Sequence, residues 1–490
     1  MLYKKEKTVL KILLVNKYHY FRGGSETYYF GLADALRKAG HEVIFFSMKD
    51  KRNLSCKQSR YFVSNIEFNG DLSLKEKVRA GSRMIYSLEA KRKMERLIRD
   101  EHPDIVHINL FHRVLTASVV DAAKKYGIPV VFTMHDLNCI CPNHTMLDHG
   151  KVCEKCLYGN YLYCVKNVCF KDSRAKCAMA AAEGAFNRMN GLYNKIDAYI
   201  TPSAFYKKKL IESGITKRPV IHMKNFLPEG TEYGWKGTRG DYLLYYGRLS
   251  EEKGIMTLIE AVRFMPGISL KIVGTGPEEG KIRGKIREYG LENRVAMEGF
   301  KSGDELLKYI DEAKCVVVPS EWYEASGYTA CEAQARGKIV IASDMGGLPE
   351  NIKDGVTGFV YHADCEDRVS TRISCMTAIQ KVYVMDKRWH RKMSENAVKN
   401  AERMFSCAVY INRLERLYKK LIEKNGSRLD GLYHDMVQGD ELRKRPAGIR
   451  TAEIHTKPGI QLPDPELCPR KAGVTEDEDI KRQPEGYAHL

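Results

Sequence analysis

Short runs of aliphatic and β-branched residues, alternating with helical patterns, constrain the fold of this 490-residue chain more than any other feature. They occur in two series, at 12–15, 43–46, 105–108, 130–133 and 198–200, and at 242–246, 270–273, 316–319 and 339–342. Buried strands that alternate with helices form a parallel sheet with helices on both faces. The sequence therefore predicts an α/β protein with two doubly wound domains, whose ligands bind at the carboxyl ends of the strands in a shared cleft.

Changes in composition divide the chain further. The segment 228–240 is rich in glycine and charge, and 426–490 has too few apolar residues for a packed core. The predicted segments are an N-terminal domain at 1–227 with a Cys-rich insertion at 139–177, a linker at 228–240, a second domain at 241–405, a helix at 406–425 that packs back toward the first domain, and a mostly disordered tail at 426–490.

The charge and the hydropathy pattern limit the environment and the partners of the protein. Lysine and arginine exceed aspartate and glutamate by 80 − 62 = +18, which favours anionic partners such as nucleotides, phosphates, nucleic acid or an acidic membrane face. We expect that the chain is not an integral membrane protein, because no stretch approaches the roughly 20 apolar residues of a membrane span. Lys11 interrupts the apolar run near the N-terminus and no small-residue cleavage site follows, so we expect a first strand there and not a signal peptide.

Two glycine-containing motifs follow predicted strands. Gly23 and Gly24 lie in FRGGSE at 21–26, where a close backbone approach and a helix N-terminus favour an anion. Arg248 and Lys253 lie in GRLSEEKG at 247–254 and can flank one diphosphate. Each motif taken alone also fits a plain tight turn or a solvated loop.

The segment PSEWYEASGYTACEA at 319–333 carries two carboxylates eight residues apart, Glu324 and Glu332. In one continuous helix they would lie about 12 Å apart along the axis, so they cannot act as a pair on one bond but can hold two ends of an extended ligand. The amides of 327–329 would open a helix and offer an anion site. Solvated helix carboxylates are the alternative interpretation.

Together these motifs resemble glycosyltransferase family 4, the retaining nucleotide-sugar transferases of GT-B architecture. The resemblance covers roughly residues 10–424, and it also includes VGTGP at 273–277 and DMGGLPE at 344–350. The most specific part is the E-x7-E pattern of Glu324 and Glu332. The resemblance implies two Rossmann-like domains facing an interdomain cleft, with the acceptor on the first domain and the nucleotide-sugar on the second.

The resemblance also implies roles for matching positions. Arg248 and Lys253 would bind the donor diphosphate, Glu324 the donor sugar hydroxyls and Glu332 the nucleotide ribose. Gly23 and Gly24 would let the first domain close on the phosphates. The remaining residues of the implied donor site are Gly274, Ser326, Gly327, Tyr328 and Thr329. Ser326 replaces an aromatic residue found in many members, which leaves the identity of the sugar open.

His135 ends a predicted strand in the sequence TMHD at 133–136. A lone histidine at such a place is more often structural, but the family commonly has His-Asp or His-Glu here, near the reacting carbon and the acceptor. The resemblance therefore implies that His135 polarises or positions the reacting groups and is not a nucleophile. Retention would use front-face attack, with the leaving phosphate taking the acceptor proton.

Seven of the 14 cysteines fall within 39 residues, at 139, 141, 153, 156, 164, 169 and 177. Cys153 and Cys156 have a metal-chelating spacing, and Cys141 and Cys169 could complete a structural zinc site. Cys164 competes with these ligands, and His144 and His149 are further candidates. Unbridged thiols and a disulfide or redox use remain alternatives. The resemblance implies no metal for the chemistry itself, so a zinc ion would shape the acceptor pocket.

The segment 75–99 carries nine cations against three glutamates, with apolar residues such as Met94, Leu97 and Ile98 interleaved. A solvated helix face is one interpretation, and a peripheral contact with anionic lipid is the other.

The combined prediction is a cytoplasmic glycosyltransferase, peripheral on the inner membrane face, that moves a sugar from a nucleotide-diphosphate-sugar to a glycan or lipid-linked acceptor. We expect a role in cell-surface polysaccharide or lipopolysaccharide biosynthesis, without a nucleic-acid partner. Two alternatives are a GT-B nucleotide-sugar epimerase, which shares the architecture, and a zinc-dependent nucleic-acid-binding protein, which the charge and the paired cysteines prompt.

Overall fold

The computed structural model of the protein describes residues 9–65 and 81–423. Its first half contains a six-stranded parallel sheet in the order β2-β1-β3-β4-β7-β8 and a small antiparallel hairpin, β5-β6. These strands are β1 Lys11–Val15, β2 Glu42–Phe46, β3 Ile105–Ile108, β4 Val130–Thr133, β5 Leu147–Asp148, β6 Lys151–Val152, β7 Ala198–Thr201 and β8 Val220–His222.

The second half contains another six-stranded parallel sheet, in the order β11-β10-β9-β12-β13-β14. Its strands are β9 Tyr242–Tyr246, β10 Ser269–Val273, β11 Val295–Gly299, β12 Cys315–Val318, β13 Ile339–Ser343 and β14 Gly358–Tyr361. The chain crosses from the first strand of each sheet to both sides of it, which is the doubly wound topology that the two series of apolar runs predict.

Helices cover both sheets. Several helices follow an N-cap residue whose side chain accepts a hydrogen bond from a backbone amide of the first turn, such as Ser87, Ser203 and Asp386. The helices are α1 Gly24–Lys38, α2 Leu88–Glu101, α3 Ser118–Lys125, α4 Leu162–Asn167, α5 Arg174–Met189, α6 Leu192–Lys195, α7 Ala204–Glu212, α8 Ile255–Arg263, α9 Glu279–Glu288, α10 Gly303–Glu312, α11 Tyr328–Ala335, α12 Arg368–Tyr383, α13 Lys387–Met404 and α14 Cys407–Glu423.

The helix α14 returns from the second half to the first. Its side chains Leu414, Leu417 and Tyr418 are fully buried in the same core cluster as residues of β1 and α1. Its polar side chains also reach the first sheet, since the Tyr410 hydroxyl lies 2.5 Å from the hydroxyl of Tyr28. The helix therefore fastens the end of the second half to the first sheet.

The segment 228–240 has no regular secondary structure and packs on the second half. The amide of Gly234 donates to the carbonyl of Ala335 at 2.9 Å, and Arg336 forms an ion pair with Glu232 at 3.0 Å. The predicted tail at 426–490 lies outside the described residues. No helix within residues 9–65 and 81–423 is long and apolar enough to cross a membrane.

Several of the apolar residues interleaved in the cationic segment 75–99 are buried in the protein. Met94, Leu97 and Ile98 lie on the inner face of α2 and belong to the first core cluster. Arg83 and Lys93 both pair with Glu89. The part of the predicted surface at 75–80 lies outside the described residues. These three apolar side chains therefore complete the core, and the membrane contact of the segment stays a prediction.

Leu417→Ala should lower the free energy of unfolding by about 2–5 kcal/mol, because it leaves a cavity in the core that α14 shares with the first sheet. Urea denaturation of both proteins measures the change. Arg416→Ala, at the exposed neighbouring position, is the matched control and should change stability by less than about 0.5 kcal/mol. Equal effects of the two substitutions would contradict the packing of α14.

Candidate active site

A cleft with a cavity of about 480 Å³ opens between the two halves of the molecule. Its walls come from the loops that follow β1 and β4 in the first sheet and β9, β10 and β12 in the second, which are carboxyl ends of parallel strands. Such ends meet at one edge of a sheet and form the usual ligand site of doubly wound folds. The cavity has the size of a small-molecule site.

Glu324 and Lys253 form an ion pair in the wall of the cleft. The Nζ atom of Lys253 lies 2.5 Å from Oε1 of Glu324, and the Ser320 hydroxyl donates to the same oxygen at 2.8 Å. Burial raises the pKa of Glu324, but the charge and the hydrogen bond of Lys253 outweigh it, and the pKa falls below its usual value. Glu324 is therefore a buried, ionised acceptor near neutral pH.

The glycines of DMGGLPE hold the backbone of Glu324. The amide of Gly347 donates to the carbonyl of Glu324 at 2.7 Å. Gly346 has a φ of 67°, and a Cβ atom there would lie 2.5 Å from the backbone nitrogen and oxygen of Glu324. Only glycine fits this position, so the motif fixes the loop that presents Glu324 to the cleft.

Glu332 lies on α11, eight residues after Glu324. The hydroxyl of Tyr246 lies 3.4 Å from its Oε2 atom, and burial raises the pKa of Glu332 to about 7 although that hydroxyl lowers it. The helix begins at Tyr328, as the motif predicts, and the hydroxyl of Ser326 is buried beside it without a hydrogen-bond partner in the described structure. The Ser326 hydroxyl and the Glu332 carboxyl thus both lie in the wall of the cleft.

Arg248 reaches the cleft from the loop after β9, which packs directly on the loop after β10. The carbonyl of Arg248 accepts a hydrogen bond from the Tyr245 hydroxyl at 2.7 Å, and the amide of Leu249 donates to Thr275 at 2.9 Å. At Gly274, where φ is 136°, a Cβ atom would lie 1.9 Å from the carbonyl oxygen of Gly247. The glycine allows this contact between loops and so sets the position of the exposed Arg248 side chain.

His135 follows β4 on the opposite wall. Its Nε2 atom lies 2.9 Å from Oδ1 of Asn109, and its ring packs edge-on against Tyr28 at 4.8 Å between centroids. Because a carbonyl oxygen only accepts, Nε2 carries the ring proton and Nδ1 is an acceptor. Burial lowers the pKa of His135 to about 3, so the imidazole is neutral at physiological pH.

Glu26 is a cleft residue that sequence reasoning missed, although it belongs to FRGGSE. It is almost fully buried at the start of α1, where Asn16 and Ser25 donate to its Oε1 atom at 3.2 and 3.0 Å. Burial raises its pKa to about 7, despite these hydrogen bonds. The signal in the sequence was a carboxylate directly after the two glycines, Gly23 and Gly24.

The structure brings all the predicted donor and catalytic residues to this one cleft. They are Gly23, Gly24, His135, Arg248, Lys253, Gly274, Glu324, Ser326, Gly327, Tyr328, Thr329 and Glu332.

The predicted zinc ligands Cys141, Cys153, Cys156 and Cys169 lie near one another in the insertion, since burial and then the neighbouring thiols Cys156 and Cys169 raise the pKa of Cys141. No group of three or more His, Cys, Asp or Glu side chains in residues 9–65 and 81–423 is arranged to hold a metal ion, and the described cysteines are free thiols. The Sγ atom of Cys169 instead lies 3.8 Å from the carbonyl of Cys164. The thiols as placed do not fit a zinc site. Zinc stays a prediction that elemental analysis of the purified protein can decide.

Two doubly wound domains that face each other across a charged cleft define the GT-B class of glycosyltransferases. Two family models match the chain, "Glycosyltransferase Family 4" at residues 22–227 and "Glycosyl transferases group 1" at residues 235–402. The chain belongs to the GT-B glycosyltransferases of the family 4 type. The predicted fold class and enzyme class, a glycosyltransferase of class EC 2.4, are thereby confirmed.

Relatives and solved structures agree with this assignment. The chain is 25% identical over 353 residues to a 42.6 kDa protein in the cps region of Klebsiella pneumoniae, covering 70% of this chain and 87% of that protein. It is 34% identical over 128 residues to a lipopolysaccharide 1,2-N-acetylglucosaminetransferase of Salmonella typhimurium, covering 24% of this chain and 34% of that enzyme. The fold matches Anabaena Alr3699/HepE, solved in complex with UDP, with a TM-score of 0.57 and 18% identity over 84% of this chain and 100% of that one.

The raised pKa of Glu26 predicts a pH-dependent cost to folding. The folded carboxyl binds its proton more tightly than the unfolded one, so its contribution to stability falls as the pH rises from about 4.5 to 7. Glu26→Gln should therefore increase the free energy of unfolding by about 1–3 kcal/mol at pH 8, and by less at pH 5. Urea denaturation at both pH values measures this, with the exposed Glu292→Gln as the control. An equal effect of Glu26→Gln at both pH values would contradict the buried, protonated carboxyl.

Proposed function

We propose that the protein transfers a sugar from a nucleotide-diphosphate-sugar to a glycan or lipid-linked acceptor with retention of configuration, in cell-surface polysaccharide or lipopolysaccharide biosynthesis. The observation that carries this proposal is the Lys253–Glu324 pair, which lies in one cleft with Arg248 and Glu332. Fixed cations and buried carboxylate acceptors in a small-molecule cavity match a diphosphate between two polyhydroxylated groups.

On the donor side, Arg248 and Lys253 neutralise the diphosphate as negative charge develops on its leaving oxygen. Glu324 is ionised, so it accepts hydrogen bonds from sugar hydroxyls while it orients Lys253. Glu332 lies further along α11 and accepts from the ribose hydroxyls. Gly23 and Gly24 bring the first domain close to the phosphates, since a Cβ atom on Gly24 would lie 3.5 Å from the ring of Tyr328 across the cleft.

On the acceptor side, His135 positions the reacting groups. Its neutral ring donates through Nε2 to Asn109, which leaves Nδ1 to accept a hydrogen bond from a sugar hydroxyl. The acceptor hydroxyl attacks the anomeric carbon on the face from which the diphosphate leaves. The bond from that carbon to the phosphate oxygen breaks, and the leaving phosphate takes the acceptor proton.

The relatives support this class of reaction. Alr3699/HepE was solved with UDP, which supports a nucleotide-sugar donor, and the Salmonella relative is named as a lipopolysaccharide N-acetylglucosaminetransferase. The match to a protein of a cps region supports surface polysaccharide as the product. The epimerase alternative is not favoured.

Contact with an anionic membrane surface in the cytoplasm remains a prediction, which now rests on exposed cations such as Arg92, Arg96 and Arg99.

Removal of either donor cation should slow transfer strongly. Arg248→Ala and Lys253→Ala should each lower the transfer rate about a hundredfold, because each removes fixed positive charge worth about 3 kcal/mol at the leaving diphosphate. The assay is sugar transfer or donor hydrolysis, with nucleotide-sugars first screened by thermal shift to find the donor. Saturating donor should add about 2.7 kcal/mol of stability at 100 times its dissociation constant.

Lys308→Ala is the matched control, because this exposed cation of the second domain lies outside the cleft. It should leave the rate unchanged. Circular dichroism checks that all three variants are folded. Near-normal rates for both donor-site variants, or no binding of any nucleotide-sugar, would contradict the proposed function.

The raised pKa of Glu332 predicts pH-dependent donor binding. The carboxylate form accepts from ribose hydroxyls, and it forms as the pH rises through about 7. Affinity for a nucleotide-sugar should therefore rise about tenfold between pH 6 and pH 8. Calorimetry on wild-type protein and Glu332→Gln measures this, and the variant should show a flat profile. Glu324→Gln should keep the pH dependence, because the lowered pKa keeps Glu324 ionised throughout. A flat wild-type profile would refute the ribose role.

A further inference from the structure

A second group of cations lies on the first-domain side of the cleft, apart in sequence from Arg248 and Lys253. Lys17 and Arg22 come from the loop after β1, Arg113 from the loop after β3, and Lys171 from the Cys-rich insertion. We call these four residues together with His144 the basic pocket. Arg22 and His144 line the cleft itself.

Two aromatic rings arrange these charges around His144. Nζ of Lys17 and Cζ of Arg22 lie 5.1 and 4.6 Å from the centroid of the Tyr18 ring. Cζ of Arg113 and Nζ of Lys171 lie 4.2 and 5.8 Å from the centroid of the Phe170 ring. The His144 ring itself packs edge-on against Phe170 at 6.1 Å. Segments that are distant in the sequence thus converge on one patch of the acceptor wall.

The four cations of this patch face three carboxylates, Glu26, Asp136 and Glu183, which interact with Arg22, Arg113 and Lys17. Glu183 is the one carboxylate that pairs with Arg113 within the described ranges, at 3.7 Å, and Lys17 and Lys171 form no ion pair there. The cations outnumber these carboxylates by one, four to three, and the lysines without an ion pair are available to an anionic ligand.

The backbone of the basic pocket supports a binding role. Arg113, His144 and Lys171 have φ values of 72°, 61° and 53°, in the left-handed region that non-glycine residues rarely adopt. Such conformations cluster at ligand sites because the surrounding structure must hold them. The Nδ1 atom of His144 is also buried without a hydrogen-bond partner in the part of the chain that the structure describes.

We propose that the basic pocket binds a phosphoryl group of the acceptor. This inference rests on the proposed function and narrows its acceptor to molecules with a phosphate or diphosphate near the attacking hydroxyl. Several converging cations suit the multiple charges and oxygens of a phosphoryl group better than a single carboxylate. Two sources share this chemistry, a phosphorylated sugar and an isoprenoid diphosphate.

The first test uses inorganic pyrophosphate as the probe, after the donor site has been saturated with a nucleotide that binds. Calorimetry should show one further saturable site on the full chain, which weakens as salt is added. Lys17→Gln and Lys171→Gln should each weaken pyrophosphate binding about tenfold, because each removes a charge-assisted contact. Lys166→Gln, an exposed lysine of the same insertion, should bind pyrophosphate like the wild type.

Nucleotide binding separates this inference from the proposed function. Lys17→Gln and Lys171→Gln should bind nucleotide normally, which also shows that they are folded. Weakened nucleotide binding in these variants would assign the cations to the donor and overturn the inference. Normal nucleotide binding without a second pyrophosphate site would overturn the basic pocket alone, whereas a wild type that binds no nucleotide would count against the proposed function.

Competition identifies the source of the phosphoryl group. Farnesyl diphosphate that displaces pyrophosphate more effectively than glucose 6-phosphate supports an isoprenoid-linked acceptor, and the reverse order supports a phosphorylated sugar. Glucuronate is the carboxylate control. Displacement by glucuronate as effective as by either phosphoryl compound would overturn the assignment of a phosphoryl ligand.

Discussion

Burial of both faces of each sheet confines the polar groups of the cleft to the carboxyl ends of the strands. The strands β3, β4, β12 and β13 are buried along their whole length, so a charged side chain within them would lose its hydration. The chain places its charged residues where each strand ends and the backbone turns. His135, Arg248 and Glu324 consequently belong to the same cavity although they lie up to 189 positions apart (324 − 135).

The site depends on backbone contacts between the loops as much as on its charged side chains. Gly274 allows the loop of Arg248 to pack on its neighbour, and Gly346 does the same for the loop of Glu324. The insertion adds a contact across the cleft, because Glu154 accepts from Tyr323 and pairs with Lys209, both at 2.8 Å. The loop that carries Glu324 and the insertion of the first half are therefore joined directly across the cleft.

Local patterns were sufficient to predict most of the fold. The apolar runs predicted nine buried strands, because a parallel strand is buried on both faces and therefore consists of consecutive apolar residues. The edge strands β8, β11 and β14 were missed. The strand β8 has three residues and β11 is half exposed, so their patterns are weak, whereas β14 is a largely buried run of four residues that was overlooked. Glycine spacing and the two carboxylates predicted a set of residues that the structure brings to one cleft. The burial of Met94 and Glu26 depends on contacts between distant segments, which no local pattern encodes.

The helix α14 has a consequence for the order in which the protein can mature during synthesis. Domains commonly fold as units while the chain is still being made, beginning at the N-terminus. Here Tyr410, Leu417 and Tyr418 belong to the core around β1 and α1. The hydroxyl of Tyr418 also lies 2.5 Å from the Nδ1 atom of His107 in β3. The ribosome must therefore translate the entire second domain before the first can close its core. Until then the apolar side chains of β1 and α1 lack the packing partners that α14 supplies.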